Sequence, residues 1–237
     1  MQPIALMPDL QDRLILAERA NAESQALLRK ILPDFVIARL MAAPEASIAD
    51  HFADASVLFA DIQGFVAIAK RLGNARTVAL LDHLTREFDA LAVCHGVEKI
   101  KTIGDGYMAV AGVPHPQPDH CERLARLALD MQAVALSVGE AMGIDITLRI
   151  GIAAGAVTAG VIGVHKVAYD VWGDTVNLAA RLEGLARGGQ ILVSAEAHAQ
   201  LGRRFKFGKC RRVAIRGLGI EDAYSLGQAL RSAEYVH

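Results

Sequence analysis

Two carboxylates in this sequence follow predicted strands, at positions that suit metal-assisted phosphate chemistry. Asp61 ends an apolar run at 57–60 and precedes a helical pattern, whose free N–H groups suit a phosphate. Asp105 lies at the tip of an Asp-Gly hairpin. Each has an ordinary interpretation alone, a helix cap for Asp61 and a turn residue for Asp105. If the hairpin lies beside the Asp61 strand, the two anions predict a Mg²⁺ site that also uses substrate phosphates.

Two further pairs could bind the rest of a phosphorylated substrate. Asn177 and Arg181 are four residues apart in a helical pattern, so both project from one face and suit charge that develops on a phosphate. A solvated helix face is the alternative. Strand alternation predicts that Lys99 and Lys101 share a face. A Lys donor with an acceptor such as Asp170 suits the edge of adenine, whereas exposed lysines on a half-buried strand are the alternative.

Two other sequence patterns lack residues that their chemistry requires. Gly155 and Gly160 have the spacing of a phosphate-binding loop, but the Lys-Ser/Thr pair that this mechanism needs is missing. His115, His120 and Cys121 cluster around a loop, yet a zinc site needs more ligands at firmer spacing. We therefore predict neither kind of site there.

The elements that must position these residues alternate between short β-rich runs and longer helical patterns, which predicts an α/β or α+β sandwich. A strand at 56–62 carries Asp61. A long helix follows and ends near Gly96, and its apolar face is predicted from residues that recur at helical spacing, Val78, Leu81, Leu84, Phe88 and Leu91. Asp105 joins two strands of a hairpin. The predicted elements after 96 are strands 97–103 and 107–112, helix 122–142, a second hairpin of strands 147–153 and 156–162, helix 174–186, and strands near 191–194, 205–213 and 223–226.

The segment 8–43 has a different character, since it is rich in helix formers and contains no Gly. Pro33 should break this helix and leave a second one at 34–41, before a linker at 44–53. Asn21 lies in the polar middle of a heptad seam, which favours a short parallel coiled coil whose register it sets. A helix that packs its apolar face on its own domain is the alternative. The seam comprises Leu14, Ala17, Asn21, Ser24, Leu28, Ile31 and Phe35.

The composition of the chain excludes several classes of protein. The chain has 237 residues, of which 53% are hydrophobic and 22% charged, so it is not a disordered segment. A formal net charge of −1 gives no general attraction for nucleic acid, which we exclude as a partner. Three cysteines without paired spacing favour a reducing compartment. No uncharged run reaches the length of about 20 residues that spans a bilayer, and there is no secretory signal, so we expect a cytoplasmic protein.

Four strings together resemble the catalytic domain of the class III nucleotidyl cyclases, specifically the adenylate cyclases. They are VLFADIQGF at 57–65, EKIKTIGDGYM at 98–108, LRIGIAAGAVTAGVIG at 148–163 and YDVWGDTVNLAARLE at 169–183. The strings occur in the family's order and cover nearly all of 56–226. The resemblance implies an α/β (α+β) fold with a ferredoxin-like βαββαβ core, here preceded by an N-terminal helix. It also implies a head-to-tail homodimer with sites at the interface.

The resemblance assigns a role to each matching residue. Asp61, Asp105 and the carbonyl of Ile62 match the ligands of two Mg²⁺ or Mn²⁺ ions per active site. Lys101 and Asp170 match the adenine-selecting pair, where a guanylate cyclase typically has Glu and Cys. Asn177 matches the residue that positions the ribose, and Arg181 matches the arginine that stabilises the transition state. Arg216 aligns with a lysine that grips the triphosphate, and the backbone through Gly64 and Phe65 completes that grip.

One position departs from the family pattern. Some relatives have a phosphate-binding arginine just after the glycine that matches Gly155, and here that position is Ala156. Phosphate binding is therefore expected to depend more on Arg216 and on the backbone of 62–65.

The resemblance implies conversion of ATP to 3′,5′-cyclic AMP and pyrophosphate. In the family, the metal-binding aspartates come from one protomer, and the residues for the base, the ribose and the transition state come from the other. Since this chain contains both sets, the resemblance implies a homodimer. We expect a helical transducer and linker at 1–50, the catalytic domain at 51–230 and a tail at 231–237. An upstream sensor or membrane domain outside this chain is compatible with the transducer, which would make the chain the cytosolic part of an anchored protein. The alternatives are a guanylate cyclase and a catalytically silent dimerisation or nucleotide-sensing module.

Overall fold

The computed structural model describes residues 7–43, 47–163 and 166–229. The chain divides into two units, one of residues 1–49 with 160–169 and the other of residues 50–159 with 170–237. The tail predicted at 231–237 lies outside the described residues. No helix in the described ranges is long and apolar enough to cross a bilayer.

The smaller unit contains the two N-terminal helices, α1 (Met7–Leu28) and α2 (Asp34–Ala42). The helical path is interrupted before Pro33 and resumes at Asp34, as predicted, because a proline disfavours helical geometry in the residue that precedes it. Val36 of α2 is fully buried, and the ring of Phe35 packs edge-on against Tyr169 at a centroid distance of 5.4 Å.

The side chains of residues 11–24 in α1 are all exposed. They include Leu14 and Leu16, and Leu28 at the end of the helix is exposed as well. The coiled-coil interpretation and its alternative, a helix packed on its own domain, both stay predictions.

The larger unit contains helices α3 to α7 and most of the residues of a mixed sheet. Its helices are α3 Phe65–Leu72, α4 Asn74–His95, α5 His120–Met142, α6 Asp174–Leu185 and α7 Ala195–Leu201. The strands of the sheet are β1 Ala49–Ile62, β2 Glu98–Ile103, β3 Gly106–Ala111, β4 Leu148–Ile162, β5 Ala168–Trp172, β6 Ile191–Ser194, β7 Phe205–Phe207, β8 Arg211–Ile215 and β9 Gly219–Ala229.

The strand order is β2-β3-β1-β4-β6-β9-β7, with β5 paired to β4 and β8 paired to β9. The first four strands in this order, with α3–α4 and α5 as the connections, form the predicted βαββαβ core. β1 and β3 are antiparallel, as are β2 and β3, while β4 and β6 are parallel. The predicted fold class is therefore confirmed.

The main core lies between the sheet and helices α4 and α5. The long helix that ends at Gly96 is confirmed, but its buried face differs from the predicted one. The predicted face included Val78, which is exposed. The buried positions of α4 recur at every fourth residue, as expected for one face of a helix. They are Leu80, Leu84, Phe88 and Ala92.

Three strand predictions were wrong in their boundaries. β1 begins at Ala49, so the second half of the predicted linker, 49–53, is strand. The predicted second hairpin is one continuous strand, β4, which passes through Gly155 without turning back. At Gly155 the backbone has φ 148°, a conformation that favours glycine. β4 also pairs with β5, a strand that was not predicted from the sequence. The run predicted as one strand at 205–213 is divided into β7 and β8.

A β-bulge overturns the prediction that Lys99 and Lys101 share a face. Lys99 is opposite Ala109 and Lys101 is opposite Met108, so one extra residue is inserted between them. Because Ala109 and Met108 are consecutive in β3, their lysine partners point to opposite faces. Lys99 binds Asp89 of α4 with an Nζ–Oδ2 distance of 2.8 Å, and Lys101 is free to reach elsewhere.

Candidate active site

The end of β1 and the β2–β3 turn bring Asp61 and Asp105 together. Ala60 is opposite Tyr107 in the antiparallel β1–β3 pair, so the turn that carries Asp105 lies next to the end of β1. The backbone N–H of Ile62 donates to Asp105 Oδ2 at 3.3 Å. Both aspartates line one cavity of about 470 Å³. The convergence of the two carboxylates, which the sequence analysis made conditional on strand pairing, is present.

The electrostatics of this cavity suit a cation. Burial, and next the hydrogen bond and negative charge of Asp61, raise the pKa of Asp105 to about 7. Two carboxylates that share a site are unfavourable unless a proton or a cation lies between them. No group of three or more His, Cys, Asp or Glu gathers in the described ranges. A metal here would therefore depend on the two aspartates, the Ile62 carbonyl and oxygens of the substrate, a set that fits Mg²⁺ or Mn²⁺.

The same cavity includes the beginning of α3. Gly64 has φ 70° and precedes the first helical residue, Phe65, and no side chain caps the helix. Gly64 and Phe65 both line the cavity. An uncapped helix N-terminus offers backbone N–H groups to an anion, so this segment can hold phosphate beside the two carboxylates.

Lys101 and Asp170 form an ion pair, Lys101 from β2 and Asp170 from β5. The β-bulge aims Lys101 away from the face that Lys99 occupies. Asp170 also accepts a hydrogen bond from the N–H of Val171 at 2.8 Å, which holds its carboxylate in place. The structure thus pairs two residues that are 69 positions apart in the sequence.

Helix α6 presents the other predicted residues in a different place. Asn177 and Arg181 are exposed on α6. Arg181 and Arg216, which follows β8, line a second cavity of about 250 Å³. Its lining shares no residue with that of the cavity around Asp61. Within one copy of the larger unit, the predicted site residues are therefore divided between two cavities and the Lys101–Asp170 pair, and Asn177 lines neither cavity.

The first turn of α6 is fixed to β4. The Thr175 hydroxyl donates to the Ala156 carbonyl at 2.8 Å, and a Cβ on Gly155 would come within 2.8 Å of Thr175 Oγ1. Ala156 itself is exposed and contributes no charge. The contact of Thr175 with β4 therefore positions the start of α6, and with it Asn177 and Arg181.

Two cations of the carboxylate cavity were missed by the sequence analysis. Arg149 and Lys70 both line it, and Arg149 Nη2 donates to Asp61 Oδ2 at 2.7 Å. Arg149 lies within the apolar strand sequence LRIGI, and a charge at such a position is a signal that could have been used. Lys70 lies in α3, and its position in that helix gives no comparable signal in the sequence.

Comparison with known proteins shows the family to which the sequence belongs. The sequence matches the family described as the adenylate and guanylate cyclase catalytic domain over residues 48–228. It is 43% identical over 209 residues to an adenylate cyclase of Mycobacterium bovis, covering 88% of this chain and 47% of that protein. It is 31% identical over 219 residues to the soluble guanylate cyclase gcy-32 of Caenorhabditis elegans, covering 91% of this chain and 32% of that protein.

A solved structure shares the fold. The guanylate cyclase domain of RhGC from Catenaria anguillulae, in complex with GTP, superposes with a TM-score of 0.73 at 33% identity, covering 76% of this chain and 100% of that one. The chain spans about half the length of the mycobacterial relative and about a third of the nematode one. The chain belongs to the family of class III adenylate and guanylate cyclase catalytic domains. The predicted family is confirmed, and its two substrate types are both represented among the relatives.

Proposed function

We propose that this chain converts ATP to 3′,5′-cyclic AMP and pyrophosphate at sites formed between two copies of itself. The observation that supports the composite site is the division of residues between two cavities. One copy would supply Asp61, Asp105 and the 62–65 backbone. The other would supply Lys101, Asp170, Asn177, Arg181 and Arg216. A two-fold related pair would then contain two equivalent complete sites.

In the proposed reaction the ribose 3′-oxygen attacks the α-phosphorus in line with the bond to the β-phosphate. The new P–O bond closes the ring, the α–β bridging bond breaks, and pyrophosphate leaves with those electrons. The hydroxyl proton passes to solvent. Two divalent cations held by Asp61 and Asp105 would lower the pKa of the 3′-hydroxyl and neutralise the leaving phosphates.

Two residues of α6, together with Arg216 after β8, would contact the substrate directly. Asn177 orients the ribose, so that its 3′-oxygen faces the α-phosphorus. Arg181 donates hydrogen bonds to the α-phosphoryl oxygens as negative charge grows on them. Arg216 holds the β- and γ-phosphates with its planar, two-pronged guanidinium, and the N–H groups at the start of α3 bind the same phosphates from the other side.

The Lys101–Asp170 pair supports ATP as the substrate. Adenine presents an acceptor at N1 and an amino donor at N6, which match a Lys donor and an Asp acceptor. Guanine presents a donor at N1 and an acceptor at O6, which would face Lys101 and Asp170 with the wrong polarity. A mismatch of buried polar groups is costly, so the pair would select strongly.

Product analysis tests the proposed function. The purified chain is incubated with ATP or GTP and Mn²⁺, and cyclic nucleotides are separated and identified. We expect cyclic AMP from ATP and much less cyclic GMP from GTP. Preferential cyclic GMP would make the chain a guanylate cyclase, as several relatives are described. No cyclic product from either would leave a silent dimerisation or nucleotide-sensing module.

For the parts of the chain we propose the boundaries given above: a helical transducer and linker at 1–50, the catalytic domain at 51–230 and a tail at 231–237. The exposed leucines of α1 support a transducer that pairs with a second copy. We also propose that the chain works in the cytoplasm, where its substrate is available.

A further inference from the structure

Asp89 of α4 binds both strands of the hairpin that carries Lys101 and Asp105. The Nζ of Lys99 in β2 lies 2.8 Å from each of the two Asp89 carboxylate oxygens. The hydroxyl of Tyr107 in β3 donates to Asp89 Oδ1 at 2.9 Å. One carboxylate of a helix thus holds one residue on each strand of the hairpin.

The two residues bound by this carboxylate are close in sequence to residues of the proposed site. Lys99 comes two positions before Lys101, and Tyr107 comes two positions after Asp105. Lys99 Nζ also lies 5.3 Å from the centre of the Tyr107 ring, a distance at which a cation and an aromatic ring attract each other. The Tyr107 ring packs edge-on against Phe88 of α4 at 5.7 Å and is 2% exposed. The hairpin is therefore anchored on α4 next to both site residues.

The β-bulge in β2 gives Lys99 and Lys101 different directions. Lys99 is opposite Ala109, which lies two residues from Tyr107 in β3, so Lys99 and Tyr107 share the face that α4 covers. Lys101 follows the extra residue, lies on the other face and pairs with Asp170. Without the extra residue, strand alternation would return Lys101 to the α4 face, and Asp170 would lose this partner.

Asp89 selects which of the two lysines faces α4. Lys101 could reach the α4 face if the extra residue of the bulge came after it rather than before it. Lys99 already occupies both oxygens of Asp89, so the other lysine is left to pair with Asp170. The side chains of Lys99 and Asp89 are 30% and 44% exposed, so their ion pair adds little to the stability of the fold. Its main effect is on the position of the bulge.

We propose that Asp89 is a positioning residue that, through Lys99, holds the β-bulge in place and so directs Lys101 toward Asp170 and the base of the nucleotide. The inference rests on the proposed function in its use of the Lys101–Asp170 pair to read the base. Asp89 and Lys99 act through the hairpin and not by contact with the nucleotide.

The test compares kcat/KM of the full chain for ATP with that for GTP, in the presence of Mn²⁺. Asp89→Asn and Lys99→Met each remove the ion pair, so the direction of Lys101 is no longer fixed. We expect the ratio between the two substrates to move toward one by about tenfold in both variants, because a displaced reading group discriminates poorly. Lys99→Arg retains a cation that can pair with Asp89, and it should keep the ratio of the wild type.

Asp82→Asn is the matched control, because it makes the same chemical change on the same helix. Asp82 is exposed, pairs with Arg86 at 2.7 Å and lines neither of the two cavities of the proposed site. It should leave the ratio unchanged. Thermal unfolding of each variant is recorded beside the kinetics. If Asp89→Asn does not fold, Lys99→Met and Lys99→Arg decide the matter.

A ratio that moves toward one in Asp89→Asn and Lys99→Met, and that Lys99→Arg retains, supports the proposal. A merely structural role would instead lower the rates with ATP and GTP in parallel and leave their ratio as it is. An unchanged ratio in Asp89→Asn and Lys99→Met would overturn the proposal, as would an equal change in Asp82→Asn.

The wild-type result separates this inference from the proposed function. If the wild type prefers GTP, the proposed substrate is wrong, yet the ratio should still move toward one in Asp89→Asn, because residue 101 would still face the base. If no cyclic product forms, the affinities for fluorescent analogues of ATP and GTP replace kcat/KM in the same comparison. A wild-type chain that does not distinguish the two nucleotides in either measurement would overturn the inference.

Discussion

At the scale of single residues, the proposed chemistry depends on a few charged side chains that the fold places at strand and helix ends. Asp61 and Asp105 share a cavity, and burial, followed by the hydrogen bond and negative charge of Asp61, raises the pKa of Asp105. Arg181 and Arg216 share another cavity. Each group would act on a different part of the triphosphate, so single substitutions should have separable effects.

Removal of Arg181 should affect turnover more than substrate binding. In Arg181→Ala the donor to the α-phosphoryl oxygens is lost, and we expect kcat to fall by about 10²–10³, as for other preorganised donors. Steady-state kinetics with ATP measure the effect. Arg187→Ala is the control, since Arg187 is exposed just beyond α6 and lines neither cavity. A near-normal kcat for Arg181→Ala would exclude the assigned role.

Exchange of the base-reading pair should change the substrate. Replacing Lys101 with Glu and Asp170 with Cys provides the residues that a guanylate cyclase typically has at these positions. We expect the ratio of kcat/KM for ATP to that for GTP to fall by at least about tenfold, because the hydrogen-bonding polarity is then matched to guanine. An unaltered ratio in an active double variant would mean that other residues read the base.

Glu98 should make stability depend on pH. Burial raises the pKa of Glu98, so its folded-state pKa lies above the unfolded-state pKa. Stability is therefore unaffected by this group at low pH and decreases as the pH rises from the ordinary glutamate range through the folded-state pKa. We expect Glu98→Gln to raise the free energy of unfolding at pH 8, with a gain that shrinks toward pH 4.5.

Urea titrations of both proteins across this pH range measure the difference. Glu87→Gln, at an exposed position of α4, is the control and should show no such pH-dependent gain. An equal gain at pH 8 and pH 4.5 would mean that burial of the Glu98 charge is not its cause.

The residue types at the candidate site could be predicted from the sequence, but some of their directions could not. Asp61 and Asp105 were predicted to converge because an Asp-Gly turn and a strand end are local signals. The β-bulge beside Lys101 depends on pairing with β3 and leaves no local signal, so Lys99 was wrongly placed on the same face. Arg149 escaped prediction because its partners, Asp61 and Glu183, are distant in sequence.

At the scale of elements, the position of α6 depends on close contact with β4. Gly151 lies under α6, where a Cβ would come within 2.2 Å of the Ala179 carbonyl oxygen and 2.3 Å of the Glu183 nitrogen. Both neighbours are backbone atoms of a helix, so they cannot move separately. The placement of Asn177 and Arg181 follows from this contact.

Gly151→Ala should therefore destabilise the protein. We expect a loss of about 1–3 kcal/mol or more, the usual cost of overpacking, because the helix must move away from the sheet. Gly184→Ala is the matched control: it lies in α6 with nothing within 4 Å of an added Cβ, and it should stabilise the helix by about 1 kcal/mol. Chemical denaturation compares the two. Equal effects would contradict the assigned contact.

The elements differ in how well the sequence predicts them. The end of a helix with strong periodicity and a terminal glycine, such as α4, was predicted correctly, whereas no start was predicted for it. The prediction divided β4 into two strands because Gly155 resembles a turn residue, whereas β4 is one continuous strand that also pairs with β5. Tertiary pairing, which a local pattern does not contain, decides between these outcomes.

At the scale of the whole molecule, the proposed activity depends on the assembly of two copies of the chain. Asp61 and Arg181 line different cavities of one copy, and the proposed site needs both against one nucleotide. Activity per chain should therefore fall on dilution, as dimers dissociate. Turnover measured over a range of protein concentrations, beside mass in solution, would show whether the two decline together.

The most direct test of the composite site mixes two inactive variants, Asp61→Ala and Arg181→Ala. A mixed dimer contains one site that lacks both side chains and one that is intact. With random exchange, half of the dimers are mixed and one of their two sites works, so we expect about a quarter of wild-type cyclic AMP formation. Subunit exchange is verified with distinguishable tags. No recovery in a mixture that has exchanged would contradict a site shared between copies.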